Sequence, residues 1–382
     1  MRRLSLTPRD NWQEKVARSG LLYHSPINAD RDEPTPYWDE SAYYLFSSAE
    51  VDKIEKATND LQQMCLEAGQ HIIDKKRFAD LDIPPDAVPA IEQAWEDEPP
   101  AIYGRFDLAY DGSGPPKLLE YNADTPTSLV EAAVIQWQWL EDCFPGSDQF
   151  NSIHERLISK WKELKAYVAS PVYFATLEDM EDIITVTYMQ DTADQAGLRT
   201  KRILVPDIGW DSNQKCFVDL DMKIIKTIFK LYPWEMMLKD EFGSHALATI
   251  GQVQWMEPIW KMMFSNKGLL AILWELYPGH ANLLEAHLND PETMTEYVKK
   301  PLLGREGANI TLKIAGGETS TSGPYGEGRY VYQAVAPIPE MKSHYPVLGS
   351  WVIDGEAAGM GIRESDNMIT DNLSRFVPHR FE

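Results

Sequence analysis

Hydrophobic and polar positions repeat with helical spacing over several parts of the chain. Residues 48–77 carry one apolar stripe, and Ser48 is the predicted N-cap of this helix. Residues 1–47 are polar and aromatic, contain several prolines and predict an irregular arm. Apolar periodicity predicts further helices over residues 128–143, 150–166, 183–196, 222–242 and 268–288.

Short apolar segments with the character of strands lie between these helices. Pro171–Thr176 and Lys201–Val205 flank the helix at 183–196, and this strand–helix–strand order predicts a parallel sheet. From Tyr297 onward the pattern changes to strands separated by Gly-rich turns. We therefore expect an α/β (α+β) fold with mixed sheets, in which residues 1–296 form a mixed core and residues 297–382 an antiparallel, β-rich part.

The charge of the chain narrows the range of partners. Its 382 residues include 36 Lys and Arg against 59 Asp and Glu, a formal net charge of −23. A field of this sign repels phosphate backbones, which argues against nucleic acid and favours a cationic partner such as a polyamine or a metal ion. No signal peptide or long apolar run occurs, and the three cysteines are scattered. We expect a cytoplasmic protein without a membrane partner.

The most informative segment is a predicted hairpin around the Gly- and Pro-rich turn at residues 111–116. If strands 101–108 and 117–122 fold back symmetrically, Arg105 faces Asn122 and Asp107 faces Glu120. Residues two apart share a face of a strand, so these four polar side chains form one patch. The apolar residues between them are expected to pack on the other face: Phe106, Leu108, Leu119 and Tyr121.

Two opposed carboxylates repel each other unless a cation lies between them. Oxygen ligands from Asp107, Glu120 and Asn122 suit Mg²⁺, and Arg105 beside them could hold a phosphoryl group or a tetrahedral intermediate. The alternative is the solvated face of an edge hairpin, in which Arg105 only neutralises Asp107.

Two lysines and a glycine-bracketed loop form a second candidate site. Lys267 precedes an apolar helix, and Lys300 lies in a strand that leads into Gly304-Arg305-Glu306-Gly307. Such a loop can direct backbone N–H groups at a triphosphate, while a lysine supplies positive charge. The alternative is an ordinary hairpin with exposed lysines.

Two later segments could complete a nucleotide site. Residues 332–335 could form a strand whose backbone pairs with an adenine edge, or a plain core strand. Arg363 is a residue of the phosphate-binding type, or else forms a surface salt bridge with Glu364 or Asp366.

Taken in order, several motifs resemble the synthetase domain of the glutathionylspermidine synthetase family. They are R-F-D, E-Y-N-A-D, N-K-G-L-L, K-K-P-L-L-G-R-E-G-A-N-I, Y-Q and G-I-R-E. The resemblance extends from about Leu6 to Phe381 and implies an ATP-grasp-like architecture, with the β-rich part as a nucleotide-clamping segment interlocked with the core. It implies a stand-alone form without the amidase domain of the bifunctional members.

The resemblance also implies a role for individual residues. Arg105 would stabilise the transition state, and the Mg²⁺ ligands would be Asp107, Glu120 and Asn122. The implied ATP-binding residues are Arg105, Phe106, Asp107, Lys267, Lys300, Glu306, Gln333, Ala334, Val335, Ala336, Arg363, Met368, Ile369 and Thr370. The substrate-binding candidates are Thr125, Glu181, Asp182 and Arg305.

The resemblance implies a ligase that uses ATP and Mg²⁺ to join a small-molecule acid, peptide-like or otherwise, to an amine through an acyl phosphate. Glu181 and Asp182 could hold the cationic amine, or belong to an exposed acidic turn. Thr125-Pro126-Thr127 stands where glutathione-using members have small serines. The identities of the acid and of the amine are therefore left open. One alternative is a non-catalytic nucleotide- or polyamine-binding protein of the same fold. Another is a hydrolase that uses Asp107 and Glu120 as paired carboxylates.

Overall fold

Three sheets of four or five strands and the helices packed on them form most of the structure. The computed structural model describes residues 1–28, 33–326, 328–370 and 374–382. The α-helices are α1 (Trp12–Arg18), α2 (Ser48–Lys75), α3 (Val88–Asp97), α4 (Gln136–Cys143), α5 (Ile153–Leu164), α6 (Met180–Gln195), α7 (Trp234–Met237), α8 (Gly243–Ala248) and α9 (Leu269–Leu276). Shorter helical turns are the π-helical Glu131–Ile135 and the 3-10 turns Arg77–Leu81, Val205–Asp207 and Ile259–Met263.

The strands follow one another along the whole chain and become denser after residue 286. They are β1 (Arg2–Ser5), β2 (Ile27–Asn28), β3 (Glu33–Pro34), β4 (Ala42–Phe46), β5 (Tyr103–Ala109), β6 (Lys117–Asn122), β7 (Val172–Thr176), β8 (Thr200–Leu204), β9 (Gly209–Asp211), β10 (Cys216–Val218), β11 (Thr227–Leu231), β12 (Gln254–Met256), β13 (Ala286–Leu288), β14 (Tyr297–Pro301), β15 (Thr311–Ile314), β16 (Gly317–Ser320), β17 (Tyr330–Ala334), β18 (Tyr345–Ile353), β19 (Glu356–Ser365), β20 (Arg375–Phe376) and β21 (His379–Phe381).

The strands pair into parallel and antiparallel sheets. One antiparallel sheet has the order β20-β19-β18-β5-β6, and a second has the order β13-β17-β14-β15-β16. A parallel sheet has the order β12-β11-β7-β8, and β1-β4-β21 form a smaller mixed sheet. The predicted α/β class with mixed sheets and a β-rich C-terminal part is confirmed.

The sheet that contains the hairpin joins distant parts of the chain. β18 pairs with β5, so residues 345–353 are hydrogen-bonded to residues 103–108. The division at residue 296 therefore crosses a continuous sheet, and as a domain boundary it stays a prediction.

The parallel sheet confirms one predicted unit and corrects a second. β7, α6 and β8 form the expected strand–helix–strand unit, and β7 and β8 are parallel. The predicted helix at 222–242 is wrong, because β11 and the short α7 occupy this segment. β11 lies between β7 and β12, and all five of its residues are buried. A strand buried on both faces has no polar alternation, so its apolar run cannot be distinguished from a buried helix by period.

The structure corrects two other predictions, one for segment 268–288 and one for the N-terminal arm. In segment 268–288 the helix ends at Leu276, because Pro278 and Gly279 (φ +77°) follow, and β13 then begins at Ala286. The predicted irregular arm contains β1, α1 and β4, and β4 is buried at all five positions.

None of the helices in the described part of the chain is both long and apolar enough to cross a bilayer.

The N-cap of helix α2 lies one residue before the predicted one. Ser47 is the N-cap: its hydroxyl accepts from the Glu50 N–H at 3.4 Å, while the Glu50 carboxylate accepts from the Ser47 N–H at 2.9 Å. This reciprocal pair is a capping box, which satisfies two backbone donors that a helix start leaves free. The Ser48 hydroxyl instead donates to the backbone oxygen of Glu382.

Replacing the cap should therefore cost more than replacing its neighbour. We expect Ser47→Ala to lower the free energy of unfolding by about 1 kcal/mol, the usual loss for an N-cap serine. Ser48→Ala is the matched control and should lower it by less. Urea unfolding of the two variants measures the difference, and equal losses would contradict the assignment of the cap.

Candidate functional site

A cavity of about 640 Å³ lies between the two antiparallel sheets and the parallel sheet. Its walls come from β5, β6 and β19 on one side and from β14, β17 and the loop at residues 305–310 on another. The segments that follow β7 and β11 close a further side. The volume lies within the range of pockets that hold small molecules.

The hairpin has the predicted register at its four polar positions. Arg105 pairs with Asn122 and Asp107 with Glu120, and all four residues line the cavity. After Asp107 the register shifts, so that Leu108 faces Leu118 rather than Leu119. Leu119 lines the cavity, and the expectation that it packs on the opposite face is wrong.

Phe106 points away from the cavity, as its position in the strand predicts. Its ring stacks on Tyr121 with ring centroids 3.9 Å apart, and the residue is fully buried. The aromatic pair forms the packed back of the hairpin. Phe106 is thus apart from most of the predicted nucleotide-binding residues, since it is not among those that line the cavity.

Asp107 is a buried carboxylate held by two arginines. Arg105 donates from Nε to Oδ1 at 2.7 Å, and Arg363 donates from Nη2 to Oδ2 at 2.6 Å. Asp107 lies on β5, between β18 and β6, so the alternative of a solvated edge face is wrong for this residue. The surface pairs suggested for Arg363 are also wrong: Glu364 binds Arg3, and Asp366 binds Arg375.

A glycine in the neighbouring strand makes room for Arg105. Gly349 pairs with Asp107 across β18 and β5. A Cβ atom at Gly349 would lie 2.8 Å from Cδ of Arg105. The arginine can therefore lie over this strand only while position 349 carries no side chain.

Glu120 faces two lysines that approach from other parts of the fold. Lys267 Nζ lies 2.9 Å from Oε2 of Glu120. Lys300 donates to the Leu119 carbonyl at 2.9 Å and to Oε1 of Gln333 at 2.7 Å. Both lysines are less than a tenth exposed, so the alternative of exposed hairpin lysines is wrong.

The charges around Glu120 and Lys300 shift the pKa of both groups. Burial would raise the pKa of Glu120, but the charges of Lys267 and Lys300 outweigh it and lower that pKa. Burial lowers the pKa of Lys300 to about 8, although the charge of Glu120 opposes this. A hydrolase with paired carboxylates needs one of them protonated near neutral pH. The lowered pKa of Glu120 argues against that alternative.

The hairpin carries the type of donors that Mg²⁺ prefers. Among the described residues no group of three or more His, Cys, Asp and Glu is arranged to hold a metal ion. The predicted set has two carboxylates and one amide, and Mg²⁺ commonly takes one or two carboxylates together with phosphate oxygens and water. The Asn122 amide donates from Nδ2 to the Glu120 carboxylate at 3.1 Å and to that of Asp107 at 3.5 Å. The donor set therefore fits Mg²⁺ in kind.

The glycine-bracketed loop packs against a second predicted segment. Gly307 has φ +69°, and a Cβ atom there would lie 2.3 Å from the carbonyl oxygen of Thr370. Glu306, Met368, Ile369 and Thr370 line the same side of the cavity. Gly307 thus allows the loop to lie directly on residues 368–370.

The strand predicted to face an adenine edge lines the cavity from Gln333 to Ala336. Gln333 is buried, accepts from Lys300 and donates from Nε2 to the Leu118 carbonyl at 2.9 Å. The Ala334 N–H already donates to the Glu285 carbonyl at 2.8 Å. The Ala334 N–H is therefore already hydrogen-bonded within the protein.

The predicted substrate residues line the same cavity. Arg305 donates to the Thr125 hydroxyl at 3.2 Å and to Glu235 at 2.9 Å. Glu181 and Asp182 line the cavity in the first turn of α6 and are half-buried, which differs from an exposed acidic turn. Burial raises the pKa of Glu181, and burial with the charges of Asp179 and Glu181 raises the pKa of Asp182 to about 7.

The structure thus brings most of the predicted site residues to one cavity. Lys267 is not in its wall, but it contacts Glu120 in that wall. The predicted residues that line the cavity are Arg105, Asp107, Glu120, Asn122, Thr125, Glu181, Asp182, Lys300, Arg305, Glu306, Gln333, Ala334, Val335, Ala336, Arg363, Met368, Ile369 and Thr370.

Comparison with known proteins identifies the family. The family model described as glutathionylspermidine synthase preATP-grasp matches residues 3–382. The chain belongs to this family. The recognition of a glutathionylspermidine synthetase-like chain is confirmed.

The curated relatives of this chain in the glutathionylspermidine synthase family differ in length. A Haemophilus influenzae protein named "Putative acid–amine ligase" is 40% identical over all of both chains. The Escherichia coli protein named bifunctional glutathionylspermidine synthetase/amidase is 28% identical over 88% of this chain and 58% of its own length. The chain thus spans little more than half of the bifunctional relative.

A solved structure supports the predicted fold class. A glutathione synthetase-like effector from Globodera pallida superposes with a TM-score of 0.58 at 9% identity, and the match covers 99% of this chain and 98% of that chain. At this identity the likeness concerns the fold alone. Together with the preATP-grasp family match it confirms the ATP-grasp-like fold class.

Sequence reasoning missed several residues of this family member's site. Asp124 is buried, binds Lys230 at 2.7 Å and accepts from the Trp234 N–H at 3.0 Å. It is the last residue of the E-Y-N-A-D motif, but its partners lie in β11 and α7, where a helix was expected. An apolar wall was also missed, since its residues follow β7 and β11: Leu177, Leu231, Tyr232, Pro233 and Met236.

Glu131 was missed as well, because nothing in its local pattern marks it. It is buried at the start of the π-helical turn and accepts hydrogen bonds from the hydroxyls of Tyr23 and Tyr37. Burial raises the pKa of Glu131 to about 7. The two tyrosines come from a segment about a hundred residues away, so only the folded chain shows the cluster.

The coupling between Glu120 and Lys300 can be measured directly. We expect Glu120→Gln to lower the pKa of Lys300 below about 8, because the variant removes a negative charge that stabilises the ammonium. NMR titration of isotope-labelled lysine side chains, assigned with Lys300→Met, reports this pKa. Glu318→Gln, on the exposed strand β16, is the control. An unchanged pKa in Glu120→Gln would contradict the coupling.

Proposed function

We propose that this protein is an ADP-forming ligase that uses ATP and Mg²⁺ to join a small-molecule acid to an amine. The observation that carries the proposal is the meeting of oxygen donors and cations at one end of the cavity. Asp107, Glu120 and Asn122 stand there beside Arg105, Arg363 and the two buried lysines. This composition suits a metal-bound polyphosphate.

The placement of the cations supports a role in phosphoryl transfer. Lys300 and Arg363 line the cavity from different sheets, so a polyphosphate between them would meet positive charge from two sides. Fixed cations of this kind stabilise the charge that develops on a transferring phosphoryl group. Apolar residues of the same cavity would enclose the base: Val298, Ile310, Leu312, Ala336 and Ile338.

Asp107, Glu120 and Asn122 would hold Mg²⁺, which supplies charge neutralisation and orientation of the phosphates when bound. In the structure Arg105 and Arg363 neutralise Asp107, and Lys267 neutralises Glu120. These cations therefore offset the repulsion between two close carboxylates, and a bound Mg²⁺ would take over that role. Arg105 is then free to turn from Asp107 to the reacting acyl group.

The proposed reaction has two steps. A carboxylate oxygen of the acid attacks the γ-phosphorus of ATP, the bond to the ADP oxygen breaks, and an acyl phosphate forms. The amine nitrogen then attacks the acyl carbon, phosphate leaves and the amine releases a proton. Arg105 would stabilise the oxyanion of the second step. Glu181 and Asp182 would bind the amine as a cation, and one of these carboxylates would accept a proton from it before the neutral nitrogen attacks.

Relatives suggest which substrates to try first. The names of two relatives refer to glutathionylspermidine and trypanothione synthesis, so glutathione and spermidine are the first pair to test. Thr125 and Arg305 would contact the acid. Thr125-Pro126-Thr127 departs from the serines of glutathione-using members, and a different acid is therefore included in the test.

ADP release with Mg·ATP should appear only when an acid and an amine are both present. The panel crosses γ-glutamyl peptides and other acids with polyamines and amino acids. Arg105→Lys tests the role of the guanidinium group, because it keeps the positive charge but loses the planar fork. We expect this variant to lower turnover by about a hundredfold or more while Mg·ATP still binds. Tight Mg·ATP binding with no ADP release across the panel would support the non-catalytic alternative instead.

The metal assignment has a separate test. We expect Asp107→Asn to weaken Mg²⁺-dependent ATP binding by on the order of tenfold to a hundredfold, because one charged donor is lost. Calorimetry with Mg²⁺ and with a chelator separates the metal-dependent part. Asp86→Asn, at an exposed position, should bind like the unchanged protein. Equal Mg·ATP affinity in Asp107→Asn would contradict the assignment.

A further inference from the structure

We propose that Glu131 and Tyr37 position Arg105 for the reaction, although neither of them lines the cavity. They hold Ser128 in a left-handed turn, and this turn presents the Thr127 carbonyl to the Arg105 guanidinium group. The inference rests on the proposed ligase function, in which Arg105 stabilises the oxyanion. It adds two positioning residues, which act through a backbone carbonyl and do not touch the substrate.

Arg105 has one contact that a metal ion would not displace. Its Nε and Nη2 donate to Asp107 at 2.7 and 3.2 Å, and its Nη1 donates to the Thr127 carbonyl at 2.7 Å. Under the proposed function Mg²⁺ competes for Asp107, so the contacts there weaken when the metal binds. The Thr127 carbonyl then remains as the anchor of Nη1. Its place in the cavity wall therefore determines where the guanidinium group can turn.

The Thr127 carbonyl belongs to a corner of the chain, residues 125–128, that follows the hairpin. The first three residues of this corner line the cavity, whereas Ser128 is buried and does not. Ser128 has φ +65°. This left-handed conformation is unfavourable for a residue with a side chain, so it persists only where neighbouring contacts hold it. Backbone of this kind is concentrated at functional sites.

The contact that holds Ser128 comes from the N-terminal arm. Ser128 Oγ lies 3.1 Å from the Tyr37 hydroxyl, which itself donates to Oε1 of Glu131 at 2.8 Å. Because the Tyr37 proton is directed at Glu131, the Ser128 hydroxyl is the donor to Tyr37. The three side chains thus form a directed chain of hydrogen bonds that ends on a carboxylate.

Glu131 is a fixed end for this chain. It is 1% exposed, and its Oε1 also accepts from the Tyr23 hydroxyl. It begins the π-helical turn Glu131–Ile135, which is otherwise mostly buried and apolar. A buried acceptor that is hydrogen-bonded to two donors has little freedom to move. The core therefore determines the position of Tyr37 and, through it, that of Ser128.

The restraint on Arg105 can be measured without any substrate. Rotation about its Nε–Cζ bond exchanges the two Nη nitrogens, and it must break the contacts to both Asp107 and Thr127. NMR exchange spectroscopy of the full-length protein with isotope-labelled arginine, assigned with Arg105→Lys, measures this rate. Tyr37→Phe removes only a hydroxyl group. We expect it to speed the rotation by about fivefold or more, the usual effect of one net hydrogen bond.

The matched control is Tyr173→Phe. The Tyr173 hydroxyl also donates to a carboxylate, that of Asp219 at 2.8 Å, and neither residue lines the cavity. This variant loses the same kind of hydrogen bond at another place in the fold. It should therefore leave the rotation of Arg105 unchanged.

Further variants connect the effect to the hydrogen-bond chain. Ser128→Ala removes the other end of the same bond as Tyr37→Phe, so the double variant should rotate no faster than the faster single variant. Glu131→Gln keeps an oxygen that can accept both tyrosine hydroxyls, and it should retain the slow rotation. Glu131→Leu has no acceptor and should lose it.

Turnover separates a positioning role from a merely structural one. With the acid and amine that support ADP release, Tyr37→Phe should lower kcat by about tenfold, because a displaced guanidinium group stabilises the oxyanion poorly. The KM for ATP should change less than about twofold. Tyr173→Phe should change neither quantity.

Three outcomes would overturn the proposal: unchanged rotation of Arg105 in Tyr37→Phe, equally faster rotation in Tyr173→Phe, or an unchanged kcat in Tyr37→Phe. Failure of the proposed function is a different result, namely no ADP release with any pair of substrates. The rotation measurement would still decide in that case whether Glu131 and Tyr37 position Arg105.

Discussion

A carboxylate buried between two guanidinium groups organises the site. Asp107 lies on β5, an interior strand of a five-stranded sheet, where Arg105 comes from its own strand and Arg363 from β19. Removing one partner of a buried ion pair typically costs about 3–5 kcal/mol, because the other charge is left without compensation. The C-terminal strands that complete this sheet are therefore part of the site, although they follow the hairpin by more than two hundred residues.

The remaining charges are arranged around this pair. Glu120, opposite Asp107, stays ionised because Lys267 and Lys300 face it from an α-helix start and from the second antiparallel sheet. Burial makes Lys300 easier to deprotonate, so its charge depends on those carboxylates in turn. The cavity is thus a balanced set of close opposite charges within a chain of strong net negative charge. Under the proposed function, a metal-bound polyphosphate would replace some of these internal ion pairs.

Much of the fold and of the candidate site could be predicted where the information is local. The hairpin register follows from the turn and from the period of two along a strand, so Asp107 and Glu120 were expected to face each other. The parallel pairing of β7 and β8 follows from one strand–helix–strand unit. The bulge after Asp107 and the strand β11 could not be predicted, because neighbouring strands decide them. A fully buried strand such as β11 shows no polar alternation in sequence.

The sequence by itself determined the hairpin patch, the glycine loop, the lysines and the family resemblance, because their residues lie close together along the chain. Only the tertiary structure decided that Arg363 binds Asp107 and that Lys267 binds Glu120. It also decided that Leu177 and Met236 share one wall. These contacts join distant segments, and their partners depend on the order of strands in a sheet. Local periodicity carries no information about that order.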